Sequence, residues 1–168
     1  MALVKATLTA SILPIVTPVS FPTSTAIAAT QFGSAYNTYA LLGQSCSLLT
    51  PTLVMLAALT AQLQSAFDNA LTGTSVADTA QAMADAFAAY WTGALFGATG
   101  TVVLIAGTAA LKTALEAYFT TQAVPGMSST PASVAYALAT HFDTFTKTVS
   151  VLDTAVPPPI GCGPAPIV

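Results

Sequence analysis

Apolar residues recur with a helical period along much of this chain. From Val76 onward they fall three or four positions apart, at Val76, Ala80, Met83, Phe87, Trp91 and Ala94. That spacing places them on one face of an amphipathic helix. Thr74 and Ser75 supply a hydroxyl cap, and Asp78 lies in the first turn, where a helix N-terminus favours negative charge. The pattern predicts a helix that begins near Val76.

Two further helix starts are indicated by a hydroxyl residue followed by proline, at Thr50-Pro51 and at Thr130-Pro131. Proline is favoured at the first helical position, where its missing N–H costs nothing. The first of these helices is expected to run to about Leu71. Its predicted apolar face comprises Leu53, Leu56, Thr60, Leu63, Phe67 and Leu71. The predicted apolar face of the second comprises Val134, Leu138 and Phe142.

The remaining helices are predicted from shorter patterns. One runs from about Thr108 to Thr121 and buries Leu111, Leu115 and Tyr118. The N-terminal third is expected to add a short helix before Pro14 and another over residues 24–42. We therefore expect a mainly α fold, a small bundle of about four to six helices.

The period changes near the C-terminus. Residues 144–151 alternate, with Phe145, Val149 and Val151 on one face and hydroxyls on the other, which indicates a short C-terminal β-strand or hairpin. Residues 101–105 fit either a second strand or the start of the following helix. Residues 156–168 contain five prolines, so an extended Pro/Gly-rich arm is expected there. Residues 1–155 are interpreted as a single helical domain.

Charge is scarce along the whole chain. Only nine of the 168 residues are charged, and none lies between residues 6 and 67. An ordinary soluble domain is about a quarter charged. A surface this poor in charge associates unless something covers it, and the cover is either lipid or other protein subunits. With three lysines, no arginine and a net charge of −3, the chain has no basic face for nucleic acid.

A membrane-embedded chain is the weaker of these two readings. Residues 86–111 are uncharged and long enough to cross a bilayer of about 30 Å, which keeps a small integral membrane protein, holin-like or from an envelope, as the alternative. Gly93, Gly97, Gly100 and Gly107 interrupt that stretch, however, and no lysine cluster sets an orientation. The N-terminus also lacks the pattern of a secretory signal. One-sided amphipathic helices favour an assembled protein.

Residues with catalytic or ligand-binding potential are few. His141 is the single histidine, and its neighbour Asp143 belongs to no cysteine or carboxylate cluster that would hold a metal. The acidic residues are spread too evenly to form a catalytic pair. Cys46 is expected to be a buried small residue, and Cys162 either a free thiol or half of an intermolecular disulfide. No enzymatic activity, metal or cofactor is predicted.

Three segments together carry a resemblance. They are residues 78–91, residues 135–143 running into 146–151, and the Pro/Gly-rich ending. In composition and arrangement they resemble small Ala/Thr-rich virion proteins of tailed bacteriophages, typically tail or baseplate components. The resemblance implies a non-enzymatic structural protein located in the virion, with other virion subunits as partners in a homo- or hetero-oligomer. It transfers no functional residues.

The C-terminal strand and arm are the predicted contact region. A short strand near the end of a chain has an edge that another chain can extend, and proline then ends the pairing. A disordered tail is the alternative for residues 156–168. A solvated tail would not need apolar residues, however, whereas an arm lying on a neighbour would use them. The interface candidates are Val149, Val151, Val156, Ile160, Cys162, Ile167 and Val168.

Overall fold

The computed structural model describes residues 3–20, 22–45, 48–124, 129–153 and 165–168. The mainly helical fold with a C-terminal strand is confirmed within these ranges. The α-helices are α1 (Lys5–Ile12), α2 (Thr25–Ala40), α3 (Leu56–Leu71), α4 (Val76–Trp91), α5 (Thr108–Gln122) and α6 (Pro131–Thr146). A single 3₁₀ turn, Pro18–Ser20, follows α1.

Hydroxyl caps start three of these helices. The Ser24 side chain accepts from the Ile27 N–H at 3.2 Å in α2, and Ser75 accepts from the Asp78 N–H at 3.1 Å in α4. Thr130 accepts from the Ser133 N–H at 3.2 Å, with proline at the start of α6. Each cap satisfies one backbone donor that the helix itself leaves without a partner. The predicted starts of α2, α4 and α6 are confirmed.

Among the residues described, five strands form an antiparallel sheet in sequence order. They are β1 (Pro51–Leu53), β2 (Leu95–Phe96), β3 (Gly100–Ile105), β4 (Val149–Asp153) and β5 (Ala165–Pro166). The β2–β3 hairpin turns through Gly97, whose φ of 57° favours glycine. Residues 101–105, which the sequence left open, belong to β3. The sheet is thus built from parts of the chain up to 115 residues apart (Pro51 to Pro166).

The prediction of a helix starting at Pro51 is wrong. Pro51 begins the edge strand β1, and α3 begins only at Leu56. Proline has no N–H to donate, so it is tolerated at the start of an edge strand as readily as at the start of a helix. The buried face of α3 consists of Leu59, Leu63 and Ala66, so that of the predicted face only Leu63 is fully buried.

The predicted strand over residues 144–151 begins too early. Helix α6 continues through Phe145 and Thr146, and β4 starts at Val149. The Thr146 hydroxyl donates to the Phe142 carbonyl at 2.8 Å, one turn back, a contact that lets a threonine remain helical. Phe145 is buried from the helix instead of from a strand.

Aromatic side chains of α2, α4 and α6 meet in the core. Helix α4 packs on α3 and α5, α2 packs on α3, and α1 lies against α2 and α6. Rings from three helices fill the centre, with Phe87 and Phe142 stacked at 4.2 Å between centroids and Tyr36 edge-on to Phe87 at 4.7 Å. Of the predicted α4 face, Ala80, Met83, Phe87 and Trp91 are buried, whereas Val76 is half-buried. Ala94 is also buried but lies beyond the end of the helix.

Residues 86–111, the candidate membrane span, do not form one helix. They include the end of α4, the β2–β3 hairpin and the start of α5. Among the described residues, no helix combines the length and the apolar character needed to cross a bilayer.

Candidate functional site

The one nearly buried carboxylate described in the structure is that of Asp143 on α6, which is 7 % exposed. Its Oδ1 accepts from the Tyr39 hydroxyl at 2.6 Å, and its Oδ2 accepts from the Lys147 ammonium at 2.8 Å. A buried charge is costly unless it is paired and hydrogen-bonded. Because Lys147 lies one helical turn away and keeps its head half exposed, α6 itself supplies the compensating charge.

A second series of hydrogen-bonded polar groups connects three helices. The Trp91 indole N–H donates to the Tyr36 hydroxyl oxygen at 2.8 Å, and the Tyr36 and Thr146 hydroxyl oxygens are 2.7 Å apart. The single Thr146 proton points to the Phe142 carbonyl, so Tyr36 must donate to Thr146. The hydrogen bonds therefore run in one direction, from the Trp91 indole through the Tyr36 and Thr146 hydroxyls to the Phe142 carbonyl. They join α4, α2 and α6.

Burial dominates the electrostatics of these tyrosines. It raises the pKa of Tyr36, Tyr39 and Tyr90, and the hydrogen bond to Asp143 raises that of Tyr39 further. A phenol held neutral in this way donates a hydrogen bond and does not act as a base. Tyr90 donates to the Asn37 side-chain oxygen at 2.8 Å. No buried side-chain nitrogen or oxygen of the described residues lacks a partner, so these groups stabilise the core.

His141 lies apart from this network although it is only two residues from Asp143. It is partly exposed and meets Tyr118 edge-on, with 6.0 Å between ring centroids. Desolvation lowers its pKa. It lines a small cleft of about 90 Å³ whose other walls, such as Leu111 and Phe145, are mainly apolar. Within the described ranges, no three histidine, cysteine or carboxylate side chains come together as a metal site.

Two apolar clefts meet at Phe32 and Phe67, whose rings are edge-on at 5.9 Å. One, of about 360 Å³, extends over the start of α2 and the end of α3, and the other, of about 350 Å³, extends toward Met83 on α4 and Leu138 on α6. Their walls are mainly apolar, with hydroxyl side chains such as those of Ser24 and Thr79 among them. Such a surface can accept apolar side chains.

The sheet exposes apolar side chains on the face turned away from the core. We call this the outer sheet face; it comprises Leu53, Leu95, Val103 and Leu104, which are 39–53 % exposed. Leu53 is opposite Leu95 in the register of β1 and β2, and Val103 lies at a bulge in β3. The outward face of a half-solvated antiparallel sheet normally carries polar residues. The outer sheet face is thus the candidate interaction surface.

Three of the seven interface candidates lie in the core of this chain. Val149 and Ile167 are fully buried and Val151 is 1 % exposed, because β4 is paired with β3 on one side and with β5 on the other. The expected unpaired edge of the C-terminal strand is therefore wrong. Val168 is half exposed. Val156, Ile160 and Cys162 lie outside the described residues, as does Cys46.

Sequence reasoning missed both the polar network and the outer sheet face. A signal for the first was present in the matched spacing of Tyr36 with Tyr39 and of Asp143 with Thr146, three residues apart on two helices. Residues so spaced share a helix face, although nothing in the spacing says which two faces meet. Comparisons of the chain with protein-family models, with curated proteins and with solved structures give no match.

Proposed function

We propose that this chain is a non-enzymatic structural subunit of a bacteriophage particle, in the tail or baseplate, and that it acts by packing against other subunits. The observation that carries the proposal is the surface. The folded chain exposes 8058 Å², yet the whole sequence supplies nine charges to cover it. Contact with other protein subunits would bury this surface, as expected for a chain with amphipathic helices and an exposed apolar sheet face.

The distribution of polar groups supports the same role. Asp143, the acid nearest to the core, is held by Tyr39 and Lys147, and the buried tyrosines donate to neighbouring side chains. These contacts hold the helices to one another. Hydrogen bonds between helices make a fold more rigid, and a rigid fold suits a subunit that packs against other subunits.

The assignment to a virion follows from the resemblance of residues 78–91, residues 135–151 and the C-terminal ending to small Ala/Thr-rich virion proteins. Other subunits of the particle would then cover the outer sheet face and the clefts around Phe32 and Phe67.

Mass spectrometry of purified phage particles from the genome that encodes the chain tests the proposal. We expect the chain at a copy number comparable with those of known tail or baseplate proteins. Carbonate extraction of infected-cell membranes is the matched control, and the chain should be released by it. Absence from particles, or retention in carbonate-washed membranes, would contradict the proposed function.

A further inference from the structure

The last four residues occupy a groove formed by two distant parts of the chain. On one side the Ile167 N–H donates to the Val149 carbonyl at 3.0 Å. On the other side Gln44 and Val168 exchange two hydrogen bonds, at 2.9 and 3.0 Å. The segment thus extends the sheet beyond β4 and is paired along both of its edges.

The groove also has a pocket for one side chain. Ile167 is fully buried, and its Cγ2 would lie 2.6 Å from a Cβ added to Gly43. Glycine is needed at position 43 because any side chain there would displace the isoleucine. Backbone pairing along an extended segment, combined with a pocket for an alternate side chain, is how a sheet edge recognises a peptide.

The connection that leads into this groove is much longer than the geometry requires. Ala165 pairs with Val151, so β4 and β5 are neighbours, yet eleven residues separate Asp153 from Ala165. A hairpin between adjacent antiparallel strands needs about two to five residues. A chain of eleven residues can reach about 40 Å when extended. The same segment can therefore reach the groove of an adjacent molecule.

We propose that residues 165–168 fill this groove in a second copy of the chain when subunits are adjacent, so that neighbours are joined by exchanged C-terminal strands. The structure itself shows the occupant, because this peptide is already bound there within one chain. In an exchanged pair the segment makes the same contacts between two chains that it makes within one chain, so no new complementary surface is required. The proposal rests on the proposed function as an assembly subunit and names the contact by which copies join.

Complementation between two full-length variants tests the exchange. Ile167→Asp leaves the groove intact but places a charge on the segment that must be buried. Gly43→Val leaves the segment intact but fills the pocket. Both are made in the Leu104→Lys background, which removes association through the outer sheet face, and each variant alone should then remain monomeric by analytical ultracentrifugation. Their mixture should form a one-to-one heterodimer, because the segment of the Gly43→Val chain fills the groove of the Ile167→Asp chain.

Matched variants keep the result interpretable. A mixture of two preparations of Ile167→Asp should give no dimer, since neither chain carries a competent segment. If circular dichroism shows that either variant has lost its helices, Ile167→Thr and Gly43→Ala replace the pair. A mixture that stays monomeric up to about 1 mM, the effective concentration at which a short linker presents its segment, would overturn the proposal.

A crosslinking measurement supplies a second test with little change to the fold. Gln44→Cys and Val168→Cys are placed on separate chains in which Cys46 and Cys162 are serine, and the chains are mixed at high concentration under oxidising conditions. Exchange predicts a mixed covalent dimer, and the double variant Gln44→Cys/Val168→Cys should close mainly within one chain. Mixed chains that remain uncrosslinked would contradict exchange. Both tests use the purified chain, so their failure leaves the particle analysis unaffected.

Discussion

Four aromatic rings and two hydrogen bonds meet at Tyr36 in the core. Its ring meets Tyr39, Phe87, Tyr90 and Phe142, and its hydroxyl accepts from Trp91 while donating to Thr146. A tyrosine is suited to this position because its apolar ring and polar tip satisfy two kinds of neighbour at once. The cost of this arrangement is that the phenol must stay neutral as long as the chain is folded.

The buried phenols predict a loss of stability in alkali. Burial raises the pKa of Tyr36, Tyr39 and Tyr90 above the ordinary value of 10.0, so above that pH the unfolded chain binds fewer protons than the folded chain. The contribution of these three groups to the free energy of unfolding should therefore be constant below about pH 10 and fall as the pH rises further. Absorbance at 295 nm should show these three tyrosines ionising together with the loss of helical circular dichroism.

Tyr136 provides the control for that titration. It is exposed, and its hydrogen bond from Lys5, at 2.9 Å, lowers the pKa of its phenol. It should ionise first, in the folded protein, and Tyr136→Phe should remove this early step while leaving the alkaline unfolding transition in place. Ionisation of all five tyrosines near pH 10 with the helices intact would contradict the assigned burial.

At the scale of elements, helix α4 depends on its first turn. Ser75 accepts from the Asp78 N–H and donates to the Asp78 carboxylate at 2.7 Å, so the cap and the first-turn acid hold each other. Ser75→Ala should lower the free energy of unfolding by about 1 kcal/mol. Urea denaturation followed by circular dichroism measures the change.

A hydroxyl in the middle of a helix is expected to behave in the opposite way. Thr113 is exposed on α5 and its hydroxyl donates to the Ala109 carbonyl, one turn back. Alanine is a better helix former there, so Thr113→Ala should leave stability unchanged or raise it by a few tenths of a kcal/mol. Equal losses in Ser75→Ala and Thr113→Ala would show that α4 does not depend on its cap.

An element can be predicted from the sequence when the information that defines it lies within its own segment. Helices α4 and α6 carry a cap and an apolar face within one segment, so that local information suffices. Helix α3 buries Leu59 and Leu63 and packs closely on α2, where a Cβ added to Gly33 would lie 2.8 Å from the Thr60 hydroxyl oxygen. Phe67 of its predicted face is only partly buried, because the neighbouring helices, and not the spacing within α3, decide which of its apolar residues are fully covered.

At the scale of the molecule, the outer sheet face is an exposed apolar surface that we expect another subunit to cover. Leu104→Lys should leave the fold intact, because that side chain is 53 % exposed. It should reduce self-association of the purified chain and its incorporation into particles, since a lysine would be buried against a neighbour. Light scattering and quantitative mass spectrometry of particles measure the two effects.

Val19→Lys is the matched control. Val19 is 99 % exposed in the 3₁₀ turn and lies neither in the sheet nor in the two clefts. Incorporation of the Val19→Lys chain should exceed that of the Leu104→Lys chain. If Leu104→Lys assembles as well as the unchanged chain, then the outer sheet face is not an interface.

The amino-acid sequence by itself determined the mainly helical fold, the capped starts of α2, α4 and α6, and the shortage of surface charge. These properties depend on residue types and on spacings of three or four positions, which can be read without knowing what lies opposite.

Only the tertiary structure decided where the two ends of the polar network meet and where the C-terminus lies. Tyr39 and Asp143 are 104 residues apart, and Ile167 enters a groove formed by Gly43 and Val149. Whether a strand such as β4 has a free edge depends on which segment pairs with it, and that pairing is a contact between distant parts of the chain. Local spacing carries no information about such contacts, which arise only when the whole chain packs.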